Sequence, residues 1–238
     1  MIRLAFALSL VLLPLAARAQ TEPQTLVDRA TLAVQEMLTG DNGAQARSMM
    51  QRARGVLICP QVFKAGFFVG GEGGDCVLVG RSGATPQAST SPQLVVPLTG
   101  GTWSGPAFYA MAGGSFGFQI GVQDSEVIFI VLTDNGLQAL LNSQFKFGAD
   151  ASVAFATLGG GVNGDTTAAL RADIVAFAES RGLFAGVSLE GTLISARFDW
   201  NQSYYGQPLA SQQIVLNQQG QNQGAEPLKE VLARFSNG

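Results

Sequence analysis

The chain has 238 residues, 47% of them hydrophobic and 13% charged, with 30 glycines, two cysteines and a net charge of −3 at neutral pH. It contains no histidine, which removes the side chain most used as a general base and metal ligand and points away from histidine-dependent hydrolases toward a binding protein. The acidic balance argues against a generally basic nucleic-acid binder, and the hydrophobic share is enough for one sizeable core.

Arg3 precedes the apolar run 4–13, and small residues frame Ala17-Arg18-Ala19, the order of a secretory signal peptide. Pro14 and the shortness of the run argue against a spanning helix, which needs about 20 apolar residues. Cleavage after Ala19 leaves 12 basic and 17 acidic residues, a net charge of −5, in a periplasmic or secreted protein.

Residues 24–38 repeat Leu26, Val27, Ala30, Ala33, Val34, Met37 and Leu38 near a 3.6 period and end at Gly40, predicting a helix. A second helix, from about 43 to 54, puts Ala46, Met49, Met50 and Ala53 on one face. Arg47, Arg52 and Arg54, with Lys64 beyond, concentrate positive charge in an acidic chain. A basic amphipathic stretch either docks on anionic headgroups or is a solvated helix face, and spacing leaves both readings open.

Residues 53–81 read as an antiparallel meander of three short strands, 56–58, 65–69 and 76–79. Pro60 and the glycines at 70, 71, 73 and 74 are the expected bends. Phe67 and Phe68 are consecutive and point to opposite faces of a strand, so one leaves the core unless both faces are covered. Cys59 and Cys76 lie on neighbouring runs. They are either a disulfide, as export favours, or two buried small hydrophobes, and without histidine they leave a zinc site half empty. Residues 82–98, with Pro86, Pro92 and Pro97, read as an exposed loop.

Residues 103–109, 115–122 and 126–132 are predicted strands. Trp103 suits either the core or a wet, apolar boundary. Thr133 or Asp134 caps a predicted helix over 136–142 with Leu137, Leu140 and Leu141 inside. Residues 113–117 fit G-x-S-x-G and 159–164 fit G-x-G-x-x-G. The first lacks a histidine base and the second lacks surrounding βαβ units, so both read as glycine-rich strand or turn. A strand pattern over 187–196 carries Glu190, expected to pair with Arg171, Arg181 or Arg197. Residues 199–203 resemble the opening of a calcium loop, but Tyr204 stands where glycine is needed. No metal and no cofactor are expected. Residues 212–224 read as a polar, poorly ordered tether, after which Glu226-Pro227 opens a helix with Leu228, Val231, Leu232 and Phe235 on one face.

The ordered series ARGVLICP, KAGFFVGGEGG, TWSGPAFY, GSFGFQIG, FKFGADASVA, ADIVAFAESRGLFAGVSLEG and DWNQSYYG, spanning 53–206, resembles the SYLF-domain family. The resemblance implies phospholipid binding and no enzymatic reaction. Phosphoinositides and actin are partners of eukaryotic members and are not carried over to a chain whose leader looks bacterial. It also implies that the lipid-binding segment lies on the amino-terminal side, here 44–54. The candidate site is therefore Arg47, Arg52, Arg54 and Lys64, with Phe67, Phe68 and Trp103 as anchors.

The expected architecture is α+β, predominantly antiparallel β (meander, sandwich or half-barrel), with a helical N-terminal segment and short packed helices. Its parts are a signal peptide (1–19), a helical segment (20–52), a SYLF-like lipid-binding domain (53–210) and a tether with a C-terminal helix (211–238). The expected function is non-enzymatic binding of anionic phospholipid or a membrane surface in a bacterial cell envelope. The alternative is a structural or assembly protein of the envelope with a protein partner. Nucleic acid and actin are not expected as partners.

Overall fold

A computed structural model of the chain describes residues 21–40, 43–66, 69–83, 85–86, 98–116, 121–147, 149–157, 171–182 and 192–237. In chain order the elements are α1 (Glu22–Thr39), α2 (Ala44–Met50), β1 (Gly55–Gly66), β2 (Val69–Ser82), β3 (Thr85–Pro86), β4 (Leu98–Thr99), β5 (Thr102–Trp103), β6 (Ala107–Phe116) and β7 (Gly121–Val131). There follow α3 (Asp134–Leu141), β8 (Gln144–Lys146), β9 (Val153–Thr157), β10 (Ile174–Gly182), β11 (Leu193–Ala196), α4 (Phe198–Tyr205), α5 (Ser211–Val215) and α6 (Glu226–Ser236). The main sheet runs β8-β11-β6-β2-β1-β7-β10-β9, with β5 paired to β2. Every pairing in it is antiparallel except β9 with β10. The chain is thus α+β, a curled, mostly antiparallel half-barrel with several short helices.

The central hairpin departs from the meander expected of 53–81. Residues 56–58 and 65–66 belong to one strand, and Pro60 does not end it. Ile58 faces Val77 and Gln61 faces Asp75, so Cys59 and Pro60 together stand opposite Cys76. On the other side Pro60 and Gln61 stand opposite Glu126. Two residues against one is a β-bulge, where a proline without an N–H costs the ladder nothing. Cys59 and Cys76 form a disulfide with Cα atoms 4.2 Å apart, joining the strands where the ladder gives out. The glycines at 70, 71, 73 and 74 lie within β2, not at a bend.

Burial along β1 divides the sheet in two. Residues 55–60 are buried on both faces, as a near-continuous apolar run requires. After the bulge Gln61 and Phe63 are exposed while Val62 is buried, so one face becomes free. α1 lies over β1 and β2 on the face of Val56 and Ile58. It enters with Pro23 in its first turn and buries Leu26, Val27, Ala30, Ala33, Val34, Met37 and Leu38. Each larger aliphatic among them contributes about 1.5–3 kcal/mol on full burial. α3 and α5 cover the opposite face, where a Cβ at Gly55 would meet Leu137 and one at Gly80 would meet Val215.

The C-terminal region is a packed part of this core. Ile214 and Val215 are buried, Asn222 Nδ2 donates to Tyr204 O at 2.8 Å, and α6 buries Leu228, Val231 and Leu232, packing on α1. The tether expected for 212–224 is therefore structured, its amides serving as fixed hydrogen-bonding groups. Residues 198–205 form a helix, not a metal loop. Asn201 accepts from Phe108 N at 2.9 Å and donates to Leu209 O at 3.1 Å, which leaves its amide engaged in holding the fold. The strand expected over 115–122 is the end of β6 and the start of β7, with 117–120 outside the described residues. The glycine-rich match at 159–164 and Glu190 also lie outside them.

Asp173 ties three elements together. Its Oδ1 accepts from Thr133 Oγ1 at 2.5 Å, and its Oδ2 accepts from Ser152 Oγ at 2.7 Å and Ser152 N at 3.1 Å. Thr133 in turn caps α3 by accepting from Gly136 N. The bond from Thr133, then that from Ser152, hold the Asp173 carboxyl below its ordinary pKa. A carboxylate whose folded pKa lies below its unfolded value of about 3.9 stabilises the fold above that value and loses the contribution as pH falls through the folded pKa. Asp173→Asn is expected to cost about 1 kcal/mol at neutral pH. Urea unfolding should show the gap to wild type narrowing in acid; a gap that widens there would contradict this role.

Candidate functional site

The expected basic patch does not assemble into one surface. Arg47 Nη1 donates to Leu38 O at 2.6 Å and Gly40 O at 3.0 Å, satisfying carbonyls at the end of α1 that have no partner within the helix. Arg52 is half-buried, its Nη1 enclosed without a hydrogen-bond partner, and burial lowers its pKa. Arg54 Nε lies 3.5 Å from Asp134 Oδ1. Lys64 Nζ lies 3.7 Å from Glu72 Oε2, and ten residues of strand, roughly 33 Å, separate it from Arg54.

Lys64 sits on the sheet face opposite α1, in a polar cluster. Glu72 Oε1 accepts from Thr192 Oγ1 at 2.5 Å, and Gln123 Nε2 donates to Ser125 Oγ at 2.9 Å. A Cβ at Gly113 would meet Glu72 Oε1 at 2.6 Å and Thr192 Oγ1 at 2.8 Å, so glycine there makes room for the pair. Gly113 lies in the middle of β6, and Ser115 follows in the same strand, not on the strand-to-helix turn that an esterase nucleophile needs. Trp103 is only 5% exposed. Its Nε1 donates to Ser236 Oγ at 3.2 Å and Arg81 stacks 5.9 Å from its ring, which makes the indole an internal anchor for α6. Phe67 and Phe68 lie outside the described residues.

A different surface is free. Beyond the bulge, on the face that carries α1, the strands form two rows of side chains. Asp124, Phe63, Gly73 and Ala112 are successive cross-strand partners, and so are Val122, Ala65, Gly71 and Gly114. Phe63 is 51% and Val122 57% exposed. These eight positions are low in relief, hydrogen-bonded within the sheet and uncharged except for Asp124, and the first row continues in register to Arg181 of β10 on one side and through Leu193 of β11 to Lys146 of β8 on the other. Leu26, Arg29 and Pro60 meet Phe63, Gly73 and Asp75 in a furrow of about 190 Å³ at the foot of α1. The arrangement has the chemistry of a contact surface. Its sequence signal was the change at Pro60 from a continuous apolar run to the alternation of QVFKAG, with Phe63 in the phase of Gln61.

Residues 112–235, just over half of the chain, match the family described as "Ysc84: Las17-binding protein actin regulator". The chain belongs to this family. The description is that of a family of binding proteins. Human "SH3 domain-containing YSC84-like protein 1" is 31% identical over 189 residues, covering 79% of this chain and 50% of the human protein. "Protein YSC84" of Saccharomyces cerevisiae is 31% identical over 189 residues, covering 77% of this chain and 36% of the yeast protein. "LAS seventeen-binding protein 3" of the same species is likewise 31% identical over 189 residues, at 77% and 37%. The chain thus spans about half the length of the animal relatives and less of the yeast ones. The family match covers the sheet from Ala112 onward together with α3 to α6, including Ala112 and Val122 of the exposed face.

Proposed function

We propose that this chain is a non-enzymatic phospholipid-binding protein of a bacterial cell envelope, docking through the apolar sheet face of Phe63 and Val122. The observation that carries the reading is the exposure of both side chains in two rows where their neighbours across β1, β2 and β6 are alanine and glycine. An exposed apolar patch marks an interaction site, and a phenylalanine entering the acyl boundary gains about 1.5–3 kcal/mol. Arg29, exposed in the furrow beside Phe63, supplies a cation for an anionic headgroup. Export is supported by the leader-like residues 1–19 and by the disulfide, a bond that persists in oxidising compartments. The docking surface so placed differs from the stretch 44–54, whose Arg47 is engaged with the end of α1.

Flotation with vesicles of phosphatidylcholine, with and without phosphatidylglycerol, tests the reading. The purified protein is expected to float with both and more completely with the anionic mixture. Protein that stays at the bottom of the gradient with either composition would overturn the proposal.

A further inference from the structure

A larger cavity, of about 540 Å³, opens where the start of α1 faces α4. Glu22, Leu26 and Arg29 line it from the helix, and Asp75, Arg197 and Trp200 form its other wall. Leu26, Arg29 and Asp75 also line the furrow that reaches Phe63, so the cavity is continuous with the exposed sheet face.

One wall is held in place by its own contacts. The Arg197 guanidinium lies 4.1 Å from the centroid of the Trp200 ring, its Nη1 donates to Asp75 Oδ1 at 3.0 Å, and its Nη2 donates to Asp199 Oδ2 at 3.1 Å. Arg197 and Asp75 thereby balance each other. On the helix side the charges are not balanced. Among the described residues Arg29 forms one bond, from Nη1 to Gln61 Oε1 at 3.0 Å, and Glu22 forms no ion pair. The two stand on the same helix about 10 Å apart by rise.

This lining, two guanidinium groups and two carboxylates, suits a zwitterion; a simple anion meets the carboxylates and a simple cation the guanidinium groups. Arg197 covers a face of the ring that a quaternary ammonium would use. A primary ammonium instead has three N–H donors for carboxylate oxygens.

We propose that the cavity holds the phosphoethanolamine headgroup of a phospholipid, its phosphate on Arg29 and its ammonium on Glu22 and Asp75 Oδ2, with the acyl chains toward Phe63. The inference rests on the lipid reading above and names the headgroup. Both contacts are charge-assisted hydrogen bonds, which carry orientation as well as affinity.

Flotation on vesicles of phosphatidylcholine, and on vesicles in which phosphatidylethanolamine replaces half of it, provides the test. The replacement is expected to raise partition about fivefold, the upper end for a solvent-accessible ion pair. Glu22→Gln should lose this gain while floating on phosphatidylcholine alone as wild type does. Glu230→Gln, which removes the same charge from α6, should keep it. A gain that comes only from looser headgroup packing survives in Glu22→Gln. In solution, glycerophosphoethanolamine should shift the indole N–H resonance of Trp200, and glycerophosphocholine should not. Equal flotation on the two vesicles, a gain that persists in Glu22→Gln, or no shift at Trp200 would each overturn the proposal. Flotation on phosphatidylcholine without a further gain leaves the lipid reading standing, whereas a shift at Trp200 without flotation on any vesicle would sink that reading and keep the headgroup site.

Discussion

Gly74→Ala is expected to lower stability by about 3 kcal/mol, a fall in Tm of roughly 6–12 °C for a chain of this size, whereas Gly73→Ala one position earlier should be nearly silent. A Cβ at Gly74 would lie 2.3 Å from the carbonyl oxygen of Gln61, with Gln61 C and Val62 Cα also within 3.4 Å. All three are backbone atoms of the bulge, which no side-chain rotation can move aside. A Cβ at Gly73 meets nothing nearer than Met111 O at 3.4 Å, and one at Gly71 nothing nearer than Gly113 O at 4.0 Å. Thermal unfolding of the two variants measures the difference. Equal Tm values would mean that the bulge relaxes freely, and that the change of register at Pro60 is not a fixed feature of the sheet.

Cys59→Ala/Cys76→Ala is expected to cost a similar amount, about 3 kcal/mol for a crosslink closing a loop of this length. The two cysteines are 17 residues apart and fully buried. They bridge β1 and β2 at the bulge, where Cys59 and Pro60 share one partner and the hydrogen-bond ladder is interrupted. The crosslink both narrows the unfolded ensemble and holds the strands where main-chain bonds do not. Guanidinium unfolding of wild type with and without reductant should reproduce the shift of the double variant. Coincident curves for all three would contradict a structural role for the bond.

The helices were the most legible part of the sequence, because their signal is local. α1, α3 and α6 appear at the positions that their apolar periodicity and caps indicate, with Leu26, Leu137 and Leu228 inward. α4 was not legible, since its buried members Asn201, Tyr204 and Tyr205 are polar or amphipathic and give no apolar stripe. The sheet was legible as antiparallel strand but not as strand boundaries. Pro60 and the glycines of β2 read as bends because proline and glycine punctuate turns and bulges alike, and only the partner strand tells which. Gly74 and Gly73 are indistinguishable in sequence for the same reason.

The candidate site was legible only in part. Charge spacing drew Arg47, Arg52, Arg54 and Lys64 into one patch, yet long cationic side chains take whichever carbonyl or carboxylate lies near. Leu38 O, Asp134 and Glu72 are neighbours that spacing along the chain does not reveal. Trp103 followed its area into the core, and its N–H found Ser236. Phe63 and Val122 were hidden because their exposure depends on where α1 ceases to cover the sheet, a property of packing between distant segments.

Flotation of wild type against Phe63→Ser/Val122→Ser on phosphatidylglycerol-containing vesicles, in low salt and in roughly 0.5 M salt, tests most directly that this sheet face enters the bilayer. Each tenfold in partition is about 1.4 kcal/mol, so removing both apolar side chains should reduce binding by a factor of ten or more at either salt, while wild type keeps most of its binding in high salt. Binding by the double variant that equals wild type, or wild-type binding that vanishes with salt, would contradict the account.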